Sequence, residues 1–246
     1  MTEALRVAIV GAESTGKTAL AQALAGRIAT LTGQRCTWVG EWLRTWCEQQ
    51  GRTPRPDEQQ AIAEHQHRLI DQAAAGHDVV VCDTTALMTA VYSDLLFDDA
   101  SLVPYAIDQQ RRCHITLLTA LDIPWVADGL QRDGPQVREP VDDRVRALLI
   151  GHRLPWALVA GAGAARVESA VDAVAPLLRQ RAGPGSGPTS GLFSRLAGRD
   201  AADLAQRAAW TAVCENCDAP DCEHLALRQR RDGWHHRPLP KPGETP

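Results

Sequence analysis

Gly11-Ala12-Glu13-Ser14-Thr15-Gly16-Lys17-Thr18 decides how this chain is read. The octet has the form G-x-x-x-x-G-K-T, a loop whose backbone N–H groups close around phosphates. Lys17 is one of two lysines in a chain with twenty-four arginines. A compact ammonium on a flexible stem reaches between β- and γ-phosphates, where a planar guanidinium fork does not fit. Thr18 offers a hydroxyl to Mg²⁺. Upstream, Arg6-Val7-Ala8-Ile9-Val10 is a short apolar run that predicts a strand. Downstream, Leu20, Leu24, Ile28 and Leu31 recur at helical spacing. Strand, loop and helix in that order are the context the motif requires. The helix start then aims its N–H groups and positive dipole end at the phosphates. Gly11, Glu13, Ser14, Thr15, Gly16, Lys17 and Thr18 are therefore the expected ATP-binding residues, with Lys17 also catalytic.

Beyond the loop, strand and helix patterns alternate. Cys36-Thr37-Trp38-Val39-Gly40-Glu41-Trp42 is a β-rich run, followed by a polar Gly/Pro stretch over 51–56. Asp57 can cap a helix that runs through Ile62, Leu69, Ile70 and Ala74 to Gly76. Asp78-Val79-Val80-Val81-Cys82-Asp83 is apolar almost throughout, as a strand covered on both faces would be. Helical patterns span about 85–96 and 103–111, strands 114–119 and 155–161, and further helices 141–150 and 164–181. Residues 122–140 are rich in Gly, Pro and charge and read as a loop or lid. The alternation predicts an α/β fold, a three-layer αβα sandwich around a parallel five-stranded sheet.

Composition sets the remaining bounds. A chain of 246 residues holds one such domain, 1–181, plus an appendage. Residues 182–191 are Gly/Pro/Ser-rich and predict a flexible linker; 192–246 form a small Cys-rich C-terminal extension whose Pro-rich end predicts a disordered tail. Net charge is −4, without a basic block, which argues against nucleic acid. No apolar run is long enough to span a membrane, and the first residues lack a signal pattern. A cytoplasmic location is expected, with the seven cysteines reduced rather than paired.

Several residues carry candidate chemistry. Asp83 ends a strand, from which an acid reaches Mg²⁺ or its water shell; the plainer alternative is a helix cap. Glu41 ends the second β-rich run, a position facing the ligand crevice in a parallel sheet, and is a candidate to orient or deprotonate an acceptor hydroxyl. Arg44 follows it. Arg132 and Arg138 lie in the lid-like loop, where a cation can meet the charge on a transferring phosphoryl group. The tryptophans at 38, 42, 46, 125 and 156 are expected in the core, although Trp42 or Trp125 could stack on a planar ring. His65 and Gln66 read as surface polar residues unless their helix lines the acceptor pocket. In the extension, Cys214, Cys217, Cys222 and His224 offer four ligands within eleven residues, a spacing that suits structural Zn²⁺. Free thiols or an iron–sulfur ligand set are the alternatives.

Taken together, Gly11–Thr18, Glu41-Trp42-x-Arg44, Ala63-Glu64-His65-Gln66, Val81-Cys82-Asp83-Thr84, Thr89 and Asp122-Ile123-Pro124-Trp125-Val126-x-Asp128-Gly129-Leu130 resemble the ribosylnicotinamide kinase domain of NadR-type proteins. The likeness covers about residues 5–180, and the Trp125-x-x-Asp128-Gly129-Leu130 signature is its specific part. It implies a P-loop kinase-like fold and ATP/Mg²⁺-dependent phosphorylation of a nucleoside 5′-hydroxyl in NAD salvage. It also implies roles for Lys17 and Thr18 at the phosphates and metal, for Asp83 in metal or base chemistry, and for Trp125 and Asp128 along the lid. Two positions depart from the pattern: Thr85 stands where the family carries a second acid, and the lid arginine falls at Arg132, after Gln131. No H-x-G-H motif occurs and the first residues lead straight into the first strand, so neither the adenylyltransferase nor the operator-binding activity that can accompany this kinase is expected. The rival expectation is a nucleotide-switched regulatory ATPase whose zinc-bearing extension binds a partner protein.

Overall fold

A computed structural model describes residues 3–126 and 134–182. The expectations for the linker and for the Cys-rich extension fall on 183–246, outside the described residues. Five parallel strands form one sheet in the order β2-β3-β1-β4-β5. They are β1 (Leu5–Val10), β2 (Cys36–Val39), β3 (Val79–Asp83), β4 (Ile115–Thr119) and β5 (Trp156–Val159). The helices are α1 (Lys17–Thr32), α2 (Trp42–Gln50), α3 (Gln59–Gly76), α4 (Ala86–Phe97), α5 (Val103–Gln110), α6 (Arg138–Gly151) and α7 (Gly163–Ala182).

The two sheet faces follow from strand alternation. Leu5, Val7 and Ile9 point one way and pack with Leu20, Leu24 and Ile28 of α1 and with Val171, Val174 and Leu178 of α7. Val10 and Leu118 point the other way, toward Leu87 and Val91 of α4 and Val145 and Leu149 of α6. Val80 and Cys82 on that same side meet Ile70 of α3. Every residue of β3 is buried, as its unbroken apolar run predicts. The result is the three-layer αβα sandwich expected from the alternation.

Three local readings are corrected. The β-rich run ends at Val39, and 42–50 form a helix rather than an extension of the strand, so Glu41 is the capping residue of α2. Arg138 opens α6 instead of lying in a loop; Pro140 sits in the first turn, where its missing N–H has no helical partner to lose. None of the five tryptophans at 38, 42, 46, 125 and 156 is fully buried. Arg52 lies over Trp46 at 5.0 Å and Arg146 over Trp156 at 5.6 Å, so guanidinium faces cover rings that a core would otherwise hold. Among the described residues no helix is long and apolar enough to cross a membrane.

Candidate active site

The sheet order places β1 at the centre, and the chain leaves it to build first one half of the sheet and then the other. Ligands in such sheets lie outside the carboxyl ends of the strands, at the point where the order reverses. Those ends carry Gly11 after β1, Asp83 and Thr84 at β3, Thr119 at β4 and Gly40-Glu41 after β2. The register brings Ile9 beside Asp83 and Val39 beside Cys82, so both acids emerge next to the loop.

The loop is shaped by close approach. Gly11 has φ +144°, and a Cβ there would lie 2.1 Å from Thr119 Oγ1. That hydroxyl lies 2.7 Å from Thr15 Oγ1, with Val10 O at 3.2 Å and Ala12 O 2.8 Å from the Thr15 hydroxyl, so two protons are shared among three contacts and one hydroxyl donates to the other. β4 thus buttresses the loop from below through a buried pair of hydroxyls. Lys17 Nζ donates to Ala12 O at 2.8 Å, which holds the ammonium across the loop. At the start of α1, Gly16 is left-handed, no side chain caps the helix, and its first turn has no acid. The first-turn N–H groups are therefore not taken up by a capping side chain, as an anion cradle requires.

Asp83 is 1% exposed. Burial raises its pKa above the ordinary carboxylate value, while the Thr18 hydroxyl and the charges of Lys17 and Arg44 pull it back down. Thr18 is close enough to help hold the charge, yet among the described residues neither carboxylate oxygen closes a hydrogen bond of normal geometry. A buried carboxylate in that condition suits a cation or its water shell. Thr18 and Asp83 accordingly fit the two protein positions at a magnesium site. No cluster of three or more His, Cys, Asp or Glu side chains that could hold a metal occurs among the described residues. Mg²⁺ fits that sparse set because it keeps most of its waters and takes its other ligands from substrate phosphates. The helix-cap alternative for Asp83 fails, because Thr85 caps α4 by accepting from Leu87 N–H.

The family model for an AAA domain (AAA_28) matches residues 6–166. The chain belongs to this AAA-domain family. No curated protein matches it. Two crystal structures of NadR protein resemble this AAA-domain chain with TM-scores of 0.57. One, in complex with NR, is 19% identical over 70% of this chain and 50% of that chain. The other, in complex with NAD and AMP-PNP, is 20% identical over 70% of this chain and 49% of that one. The chain therefore spans about half the length of the NadR chains it matches, and shares their fold over that part. A deoxyadenosine kinase from M. mycoides, solved with dCMP and a flexible dCDP, matches at 14% identity over 72% of this chain and 100% of that one, with a TM-score of 0.46.

In the AAA-domain protein, α2 stands next to the loop and Asp83. Glu41 and Arg44 form an ion pair at 3.9 Å, and Arg44 is near enough for its charge to act on Asp83. Trp42 stacks on His65 at 4.0 Å. Arg138 is buried, and its Nη1 donates to Ile123 O at 2.9 Å, while its Nε and Nη2 have no hydrogen-bond partner. Beyond β4 the chain threads past the loop. Ile123 packs beside Gly16, and Val126 N–H donates to Ser14 Oγ at 2.8 Å. Trp125 is half-buried in this segment; Asp128 and Arg132 lie outside the described residues.

Three contributors were not singled out from sequence as site residues. Thr119 and Gln66 act through long-range hydrogen bonds; Gln66, expected at the surface unless its helix lines the acceptor pocket, is 3% exposed, and its signal, like that of Thr84, is its place in the segments that resemble NadR-type proteins. Thr84, buried with φ +65°, is a β-branched residue in the left-handed region, a strain of about 1–3 kcal/mol placed directly after Asp83.

The raised Asp83 pKa gives a prediction. A raised acid pKa means that ionisation opposes folding: stability falls as pH climbs from the unfolded value near 3.8 through the folded one, and the deficit persists above it. Asp83→Asn should therefore raise Tm at pH 7, while lowering phosphoryl transfer about a hundredfold or more. A scanning calorimetry trace with unchanged or lower Tm contradicts the burial argument.

Proposed function

We propose that this protein is an ATP/Mg²⁺-dependent phosphotransferase acting on the 5′-hydroxyl of a ribosyl nucleoside, with nicotinamide riboside the acceptor and nicotinamide mononucleotide the product. The observation that carries the reading is the meeting of Lys17, Thr18 and Asp83 with the Glu41–Arg44 pair at one end of the sheet. A loop for a triphosphate alone needs only the first three. A carboxylate and a guanidinium on the facing helix add a place for an alcohol and for the charge that moves to it. The fold shared with NadR chains solved with NR and with AMP-PNP supports the same choice.

In this reading the loop amides and Lys17 bind the β- and γ-phosphates and align the terminal phosphoryl group. Mg²⁺, when bound, neutralises charge on the phosphate oxygens. Glu41 accepts the hydroxyl proton or fixes the hydroxyl's direction, and Arg44 and Arg138 face the developing charge. Arg132 and Asp128 are assigned to this site from sequence alone, and Trp42 and Trp125 border the base. Purified full chain with Mg-ATP should convert nicotinamide riboside to its 5′-phosphate. Absence of transfer across a panel of nucleosides, with ATP binding intact, overturns the assignment.

A structural Zn²⁺ held by Cys214, Cys217, Cys222 and His224 is proposed from spacing alone. Elemental analysis should find one zinc per chain, and Cys217→Ser should lose it; metal-free wild-type protein rejects the site.

A further inference from the structure

Gln66 lies on α3, is 3% exposed, and uses both ends of its amide on one short stretch of backbone. Its Oε1 accepts Trp42 N–H at 2.7 Å, and its Nε2 donates to Gly40 O at 3.2 Å. The two bonds bracket Glu41. Trp42 N–H is the first N–H of α2, a group with no partner inside the helix. Short side chains such as Asp or Ser in the capping position reach the second and third N–H groups of a helix, whereas Glu41 makes no capping bond and the first N–H lies outside a cap's usual reach. A buried amide from a neighbouring helix takes up that first N–H instead. His65, one residue earlier on α3, adds a second hold: its ring stacks on Trp42 at 4.0 Å with 24° between the planes. The first turn of α2 is thus fixed from α3, and with it Glu41 and, one turn on, Arg44.

The register explains why that matters. Val39 lies beside Cys82, so the backbone that Gln66 clamps leaves the sheet alongside Asp83. A small rotation of α2 would carry Glu41 and Arg44 away from Asp83 without disturbing the loop after β1. Misplacement of a reacting group by about 1 Å costs roughly a hundredfold in rate.

We propose that Gln66 is a positioning residue of the transfer site: it holds the first N–H of α2 and the carbonyl before Glu41, and so fixes where the Glu41–Arg44 pair stands beside Asp83. The inference rests on the kinase reading above and extends it to a residue whose amide bonds go to the backbone on either side of Glu41.

Gln66→Leu removes both bonds at similar volume. Its kcat/KM for the nucleoside should fall about ten- to a hundredfold, while the ATP dissociation constant measured by calorimetry stays within about twofold. His65→Ala, which leaves the amide in place, should show the same pattern more weakly. Hydrogen exchange at the Trp42 amide supplies a readout independent of turnover: protection should drop in Gln66→Leu while the amides of α1 keep theirs. If Gln66→Leu does not fold, His65→Ala and Gln66→Glu, which retains only the acceptor, carry the test. Equal loss of ATP affinity and acceptor turnover marks a merely structural role and overturns the proposal. So does unaltered kcat/KM. Wild-type protein that transfers to no nucleoside defeats the kinase reading instead; an unprotected Trp42 amide in that same wild-type protein defeats the clamp.

Discussion

Lys17→Ala lowers phosphoryl transfer by about a hundred- to a thousandfold, the loss expected when one fixed donor to a developing anion is removed. The fold survives. Lys17 is half-exposed and donates to Ala12 O at 2.8 Å, whereas Gly11, Gly16, Thr15 and Thr119 set the loop's backbone course. The expected result is therefore a circular dichroism spectrum and a Tm close to wild type beside a turnover number near background. Arg in the same place should not rescue, because the planar fork cannot occupy the space between two phosphates. Near wild-type kcat in Lys17→Ala removes the phosphate role from this loop altogether.

The second large effect is on the loop itself. Gly11→Ala places a methyl group 2.1 Å from Thr119 Oγ1 and 3.3 Å from Thr119 N and O, at φ +144°. Backbone strain and overpacking each cost about 1–3 kcal/mol, so a combined loss of roughly 2–6 kcal/mol is expected, read as a fall in urea midpoint. Nucleotide affinity falls with it, since the displaced hydroxyl also anchors Thr15. The double variant Gly11→Ala/Thr119→Ala relieves the side-chain clash but neither the φ nor the two backbone contacts, and should recover only part of the stability. Wild-type midpoint and affinity in Gly11→Ala contradict this account of the cradle.

The legible and illegible parts of this molecule separate by range. The first strand, the loop and α1 could be read because they are contiguous and their chemistry is local. Asp83 was legible because a buried strand that ends in a carboxylate is an unusual pattern. α2 was missed because Trp42-Leu43-Arg44-Thr45-Trp46-Cys47 has β-rich composition, and contacts with other segments decide its state. Gln66 lies 24 residues from Trp42, and the bidentate Arg52–Glu58 pair ties the end of α2 to the start of α3. Thr119 joins Thr15 across 104 residues, a link that no local pattern reveals. Arg138 was placed in a loop because prolines flank it, although proline is tolerated in a first helical turn. Thr85 acquires a meaning that composition could not supply. Its hydroxyl caps α4 and donates to Gln110, whose amide donates in turn to Thr116, so the place where an acid might stand serves packing.

Arg166, 4% exposed in the first turn of α7, donates to Ala120 O, Gly161 O and Asp122, and so ties the exits of β4 and β5 together just behind the nucleotide end. A shortened fragment cut before residue 163, attractive as a minimal ATP-binding piece because it keeps all five strands, would lose that knot along with α7's share of the core. The practical boundary for a recombinant domain that still grips nucleotide therefore lies after α7, and point changes at Arg166 should weaken binding through the exits of β4 and β5.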